Sequence, residues 1–251
     1  MSTEHPSRTV FDIVELAEVD STNAEGLRRA SGLSRPTWVF AHRQTAARGR
    51  RGRPWVMDPG NFAATLILRQ VGPPAEAAQY SFVAALALRD VLAGYAGASA
   101  VALKWPNDVL LNGGKVAGIL LESTGSAGRI GALAIGIGVN LVSAPAVASV
   151  DPGATPPVSL AGESGAVVTP RDFLDRIAAG FAEIDSFRAR HGFSGVRDLW
   201  LAGAARLGGT ITARTMTDTV TGVFETIDQA GALVLATPVG RRVIPAADVF
   251  F

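Results

Sequence analysis

The stretch that most restricts the fold is "DVLLNGGKVAGILLESTGSAGRIGALAIGIGVNLV", residues 108–142. "DVLL" and "KVAGILLES" are short apolar runs, and "NGG" between them supplies the residues a tight β turn demands. "RIGALAIGIGVNLV" is a further core strand. Three such segments in succession commit this part of the chain to a sheet.

The flanking sequence adds strands and helices around it. A strand is expected near Phe11–Leu16. "DSTNAEGLRRA" then opens a helix, with Asp20, Ser21, Thr22 and Asn23 all suited to its N-cap. "TWVFAHRQ" (37–44) and "NFAATLILR" (61–69) are expected strands, and residues 78–94 an amphipathic helix. Residues 170–190 form a helix with Thr169 as N-cap and Phe173, Ile177, Phe181 and Ile184 on one face, stopped by Gly192. A Pro/Ala/Gly-rich loop covers 143–157. From about Leu207 the pattern becomes short β segments with polar turns, the pattern of a small separate barrel.

Composition removes several classes of function. A net charge of +1 gives no global basic field for nucleic acid or a membrane surface. The absence of cysteine removes disulfides, thiolate metal sites and cysteine nucleophiles. His5, His42 and His191 are too scattered for a metal cage. The N-terminus lacks a signal-peptide pattern. "FVAALALRDVLAGY", broken by Arg89 and Asp90, is too short to span a bilayer, so a soluble cytoplasmic protein without a membrane partner is expected. There is no G-x-S-x-G elbow and no Walker-type phosphate loop, and "GIGVN" (136–140) lacks the third glycine of a dinucleotide fingerprint.

Cationic charge is nonetheless concentrated. "QTAARGRRGRPW" (44–55) holds Arg48, Arg50, Arg51 and Arg53, two glycines and Trp55. Its glycines let backbone close around a ligand, its guanidiniums match phosphate oxygens, and Trp55 offers a face for a purine. A small phosphorylated ligand fits this better than RNA or a solvated loop. Against 21 arginines the chain has two lysines, Lys104 and Lys115, both in "KWPNDVLLNGGK". Lysine persists in so arginine-rich a chain where a compact ammonium beside a reacting carboxylate or phosphate serves and a wide fork does not.

These motifs together resemble the bacterial biotin–protein ligases. "STN" (21–23), the arginine loop, "KWPNDVLL" (104–111), "GGKVAGILLE" (114–122) and "GIGVN" follow the family's order and spacing, and 207–251 resembles its C-terminal domain. The resemblance implies an α+β fold. A mixed β-sheet catalytic domain of the biotin/lipoate ligase type (residues 1–204) carries helices, and a small Src-homology-3-like β-barrel follows (205–251). It implies that ATP and biotin form biotinyl-5′-AMP, with Mg²⁺, and that biotin then passes to a lysine of a biotin carboxyl carrier domain. A lipoate or octanoate ligase or transferase of the same fold is the alternative.

Site roles follow from the resemblance. Lys115, Arg48, Arg50, Lys104 and Asp108 are the expected catalytic residues, with Asp108 placing Mg²⁺ or serving only as a salt-bridge partner for Lys104. Ser21, Thr22, Asn23, Gln44, Arg48, Lys115 and Gly118 are expected to bind biotin, Ser21 and Thr22 having helix capping as their plainer role. Arg50, Arg51, Trp55, Lys104 and Asn140 are expected at ATP or the adenylate. Trp105 is assigned to the core and Asn112 to its turn. The arginine loop, 45–53, is expected to be poorly ordered without ligand and ordered with biotinyl-adenylate. The family usually has glycine where this chain has Ala47, which raises the question of a positive φ there, or of a side chain that blocks close backbone approach to the ligand. With twenty residues before Ser21, no DNA-binding domain is expected; monomer and weak homodimer both remain open.

Overall fold

In a computed structural model, residues 11–147 and 153–251 are described. The readings that concern His5, the N-terminal segment and part of the 143–157 loop fall outside them. The first half of the chain forms β1 (Asp12–Val19), α1 (Thr22–Arg29), β2 (Thr37–Gln44), β3 (Phe62–Gly72) and α2 (Pro74–Ala96). Next come β4 (Val101–Lys104), β5 (Asp108–Leu111), β6 (Gly114–Ser126), β7 (Arg129–Val139), α3 (Leu160–Ser164) and α4 (Pro170–Ala202). The C-terminal strands are β8 (Thr210–Arg214), β9 (Thr219–Ile227), β10 (Leu233–Thr237), β11 (Gly240–Ile244) and β12 (Asp248–Phe250).

The first seven strands make one mixed sheet in the order β1-β2-β3-β7-β6-β5-β4, with β1 parallel to β2 and the other pairs antiparallel. The hairpin at its centre forms as expected: Asn112 (φ 48°) and Gly113 (φ 84°) both take left-handed angles and close β5 onto β6. Alternation along each strand sorts side chains to two faces. Trp38, Phe40, Phe62, Leu66, Ile135 and Ile137 face the main core with α2 and α4. Val39, Ile67, Ala132 and Ala134 face α1 in a smaller cluster. Each fully buried large apolar side chain contributes about 1.5–3 kcal/mol.

Two helix readings are corrected. α2 is not amphipathic in effect: a run from Phe82 to Leu88 is buried without interruption, because α2 lies between the sheet and α4 and meets protein on more than one side. Gly192 (φ 68°, ψ −175°) breaks α4 but does not end it; a second helical stretch continues to Ala202, driven by burial of Phe193, Val196 and Trp200. The last five strands form an antiparallel sheet, β11-β10-β9-β8-β12. Its Ile211, Phe224 and Leu233 belong to the same apolar cluster as the main core, and Trp105 Nε1 donates to the Gly231 carbonyl at 3.0 Å.

Candidate active site

Register places the site. Lys104 pairs with Asp108, Asp108 with Gly118, Gly118 with Gly138, and Gly138 with Ala63, so one row crosses five strands of the sheet. Directly paired residues share a face, and here it is the face that carries α1. The small residues of this row leave a trough, and charged residues close its β4–β5 end. Lys115 would point away from Gly118 in a regular strand, being three residues distant. A bulge intervenes: Val109 pairs with Ala117 but Leu110 with Lys115, leaving Val116 as the extra residue. The bulge turns Lys115 to the face of Asp108 and Gly118.

The trough is floored by close packing. A Cβ on Gly138 would lie 2.7 Å from the Trp55 ring, and one on Gly136 would lie 2.2 Å from Asn23 Oδ1. Trp55 and α1 therefore approach the sheet only because these positions lack side chains. The resulting cavity, about 440 Å³, is bounded by α1, the arginine loop, the charged row and β12.

At the α1 end, polar groups are buried and paired. Ser21 caps the helix, and its hydroxyl accepts from Ala24 N at 3.5 Å. Gln44 Oε1 accepts from Thr22 N at 2.8 Å and Thr22 Oγ1 at 3.1 Å. Thr65 Oγ1 donates to Asn23 Oδ1 at 2.6 Å, and Asn23 Nδ2 donates to Glu122 Oε2 at 2.8 Å. Ser21 thus combines capping with a place on the cavity wall, whereas Thr22, the first residue of α1, lines the wall without capping, its hydroxyl donating to Gln44.

Each of the cations around the cavity has a protein partner. Lys115 Nζ lies 2.7 Å from Asp108 Oδ1 and 5.7 Å from the Trp55 ring centroid. Lys104, 6% exposed, donates to Thr155 Oγ1 at 2.5 Å. Burial pulls its pKa below the ordinary lysine value, Asp108 opposes that, and Lys115 adds to it. Arg48 Nη2 lies 3.0 Å from Glu122 Oε1, which joins the loop to Asn23 through one carboxylate. Arg50 Nη1 lies 3.4 Å from Asn107 Oδ1 and 3.2 Å from the Ala247 carbonyl. Burial lowers its pKa, with Asp248 and Asp108 opposing. The loop closes on itself through Gly49 N to Arg53 O (2.7 Å) and Trp55 N to Ala47 O (3.0 Å).

Of the residues expected from sequence, Ser21, Thr22, Asn23, Gln44, Arg48, Arg50, Trp55, Lys104, Asp108, Lys115, Gly118 and Asn140 all line this cavity. Arg51 is the exception. It takes a left-handed turn (φ 57°) and aims at Asp248, while Arg53 lines the cavity instead. Asp108 pairs with Lys115 and not with Lys104, because the bulge brings Lys115 onto its face while Lys104 reaches Thr155. Asn140 Nδ2 is engaged by the Val158 carbonyl at 3.0 Å. Trp105 is a core residue, and Asn112 adds to its turn role a bond to Glu163 Oε2 at 2.9 Å. Ala47 is not among the residues of positive φ, so its position accepts alanine. Glu122, Asn107, Thr155 and Asp248 were not foreseen; Asn107, inside "KWPND", and Glu122, at the end of "GGKVAGILLE", lay within motifs, and the other two did not.

Residues 15–140 match the biotin/lipoate A/B protein ligase family, and residues 207–251 match the biotin protein ligase C terminal domain. A biotin–[acetyl-CoA-carboxylase] ligase of Paracoccus denitrificans is 59% identical, over 94% of this chain and 99% of its own. The bifunctional ligase/repressor BirA of Bacillus subtilis is 34% identical over 85% of this chain, which spans 65% of that protein. Among solved structures, a biotin protein ligase from Aquifex aeolicus in complex with biotin and ATP superposes with a TM-score of 0.75. That match covers 95% of this chain and 98% of the other at 22% identity, a likeness of fold. From the shared fold, the matched domains and an alignment running nearly end to end, the chain belongs to the biotin–protein ligase family.

Proposed function

We propose that this chain activates biotin with ATP and transfers it to one lysine of a biotin carboxyl carrier domain. A biotin carboxylate oxygen attacks the α-phosphorus, the bond to the β-phosphate oxygen breaks, and pyrophosphate leaves with biotinyl-5′-AMP formed. The acceptor amine then attacks the acyl carbon, the acyl–phosphate C–O bond breaks, and AMP leaves as the amine loses a proton.

Electrostatics sets the task for the protein. Bringing a carboxylate to about 4 Å from a phosphate charge costs roughly 4 kcal/mol at an effective dielectric of 20. That is about a thousandfold in rate. Lys115, Arg48 and Arg50 around one cavity are the observation on which this reading rests: fixed cations offset the repulsion and stabilise charge building on the α-phosphate. Lys115 serves the biotin carboxylate and the phosphate, Lys104 the phosphate, and Arg48 and Arg50 the adenylate. Thr22, Asn23, Gln44 and Gly118 surround the ureido end with Ser21, and Trp55 and Asn140 the adenine. Residues 45–53 close over the intermediate to keep water out.

The donor set suits Mg²⁺ brought in with the nucleotide. Among the described residues no three His, Cys, Asp or Glu side chains cluster as a cage. Asp108 offers one hard oxygen beside phosphate and water ligands, as Mg²⁺ usually takes. When bound, the ion supplies charge neutralisation at the phosphates.

Exchange of labelled pyrophosphate into ATP tests the reading. Exchange is expected with biotin and not with lipoate or octanoate; exchange with lipoate alone would overturn it.

A further inference from the structure

Asp248 has no role in the reaction as proposed, yet it stands at the cavity edge as the first residue of β12, its side chain 14% exposed. Its Oδ2 accepts from Arg51 Nη1 at 2.9 Å and from Arg53 Nη2 at 2.7 Å, and Arg50 Nη1 lies 4.0 Å from Oδ1. The neighbouring Ala247 carbonyl accepts from Arg50 at 3.2 Å. Three guanidiniums within four residues repel one another wherever the loop folds compactly. One carboxylate from the C-terminal sheet relieves that repulsion, and only while the loop lies against β12. The anchor is firm: β12 is paired to β8 through Asp248↔Arg214, and the next residue, Val249, is buried. Burial by itself would raise the Asp248 pKa. The hydrogen bond from Arg53 and the charges of Arg53, Arg51 and Arg50 outweigh it, so the carboxyl stays ionised at neutral pH.

We propose that Asp248 is a positioning residue that latches the arginine loop onto the C-terminal sheet and so retains the acyl-adenylate between the two half-reactions. Arg51, which pairs with Asp248 and does not line the cavity, then serves the latch and not the nucleotide. The proposal rests on the functional reading above for its catalytic consequence but not for the latch itself.

The test uses the full chain with Asp248→Asn and Asp248→Glu. The first readout is AMP released per biotin transferred to a carrier domain. If the loop opens early, water attacks the acyl carbon, the C–O bond to phosphate breaks, and biotin and AMP leave with a proton to bulk. Asp248→Asn is expected to raise that ratio roughly tenfold, the scale of one lost charge-assisted contact. It should also speed trypsin cleavage after Arg50 and Arg51, and Asp248→Glu should return both readouts toward wild type. Unchanged ratio and cleavage would overturn the latch. So would a proportional slowing of both half-reactions at constant ratio, or a raised Mg²⁺ requirement at constant cleavage, which would mark a metal ligand. If Asp248→Asn fails to fold, salt decides. In wild type, the ratio and the cleavage (normalised to a peptide substrate) should rise between about 0.05 and 0.5 M NaCl as the ion pairs are screened. A flat response would contradict the proposal. Wild type forming no AMP from biotin and ATP would sink the functional reading, while the trypsin arm would still judge the latch.

Discussion

Lys104 and Lys115 sit on the same wall of the cavity in different surroundings. Lys115 is held by Asp108 in a site open enough for a carboxylate to approach. Lys104 is almost wholly covered, and burial is the main reason its pKa lies below 10.5. A lysine so shifted loses its charge at lower pH than a free one, so phosphate affinity should weaken as pH rises through that value. kcat/KM for ATP is therefore expected to fall along an alkaline limb below pH 10.5. Lys104→Arg, charged at every accessible pH, should lose the limb and be slower at neutral pH; a limb retained in that variant would assign it elsewhere. For Ala47, whose backbone is outside the positive-φ region, the expectation is of no effect. Ala47→Gly should leave biotin affinity and adenylation within about twofold of wild type, since glycine relieves no strain there. A several-fold gain in either would show that the side chain obstructs the ligand.

At the scale of elements, the site depends on two contacts that strands make possible: the bulge at Val116 and the seating of Trp55 on Gly138. Gly138→Ala would push a methyl to within 2.7 Å of the indole. The ring should be displaced, raising KM for ATP about tenfold with a smaller change in biotin affinity. Isothermal titration and steady-state kinetics separate these; equal loss of both would mean that the sheet had shifted. The strands themselves were legible because their signals are local: "TWVFAHRQ" is β2 to the residue, and Asn112–Gly113 specified its turn. The bulge was not legible, since it exists only in the pairing of β5 with β6. Nor was the burial of α2, whose sequence cannot reveal that α4 covers its outer side.

Across the whole molecule, the two sheets share one continuous apolar core, with Phe224 and Leu233 of the C-terminal strands in the cluster that holds Trp38 and Trp200. Removing residues 207–251 would expose that core and delete the carbonyl partner of Trp105. The truncated chain should therefore melt lower by roughly 10 °C or fail to fold. A truncated chain with unchanged melting temperature would show the sheets to be thermally independent. The cationic cavity was legible because the loop and both lysines lie in dense motifs. Asp248 and Glu122 were not: their partners stand 197 and 74 residues away from Arg51 and Arg48, a distance that only the fold closes. The central claim is that fixed cations, Lys115 above all, neutralise an acid being joined to a nucleotide. Biotin-dependent exchange of labelled pyrophosphate into ATP, compared between wild type and Lys115→Gln at saturating biotin, tests it most directly. The exchange rate should fall by about a hundredfold or more in the variant, and a variant that exchanges as fast as wild type would contradict the claim.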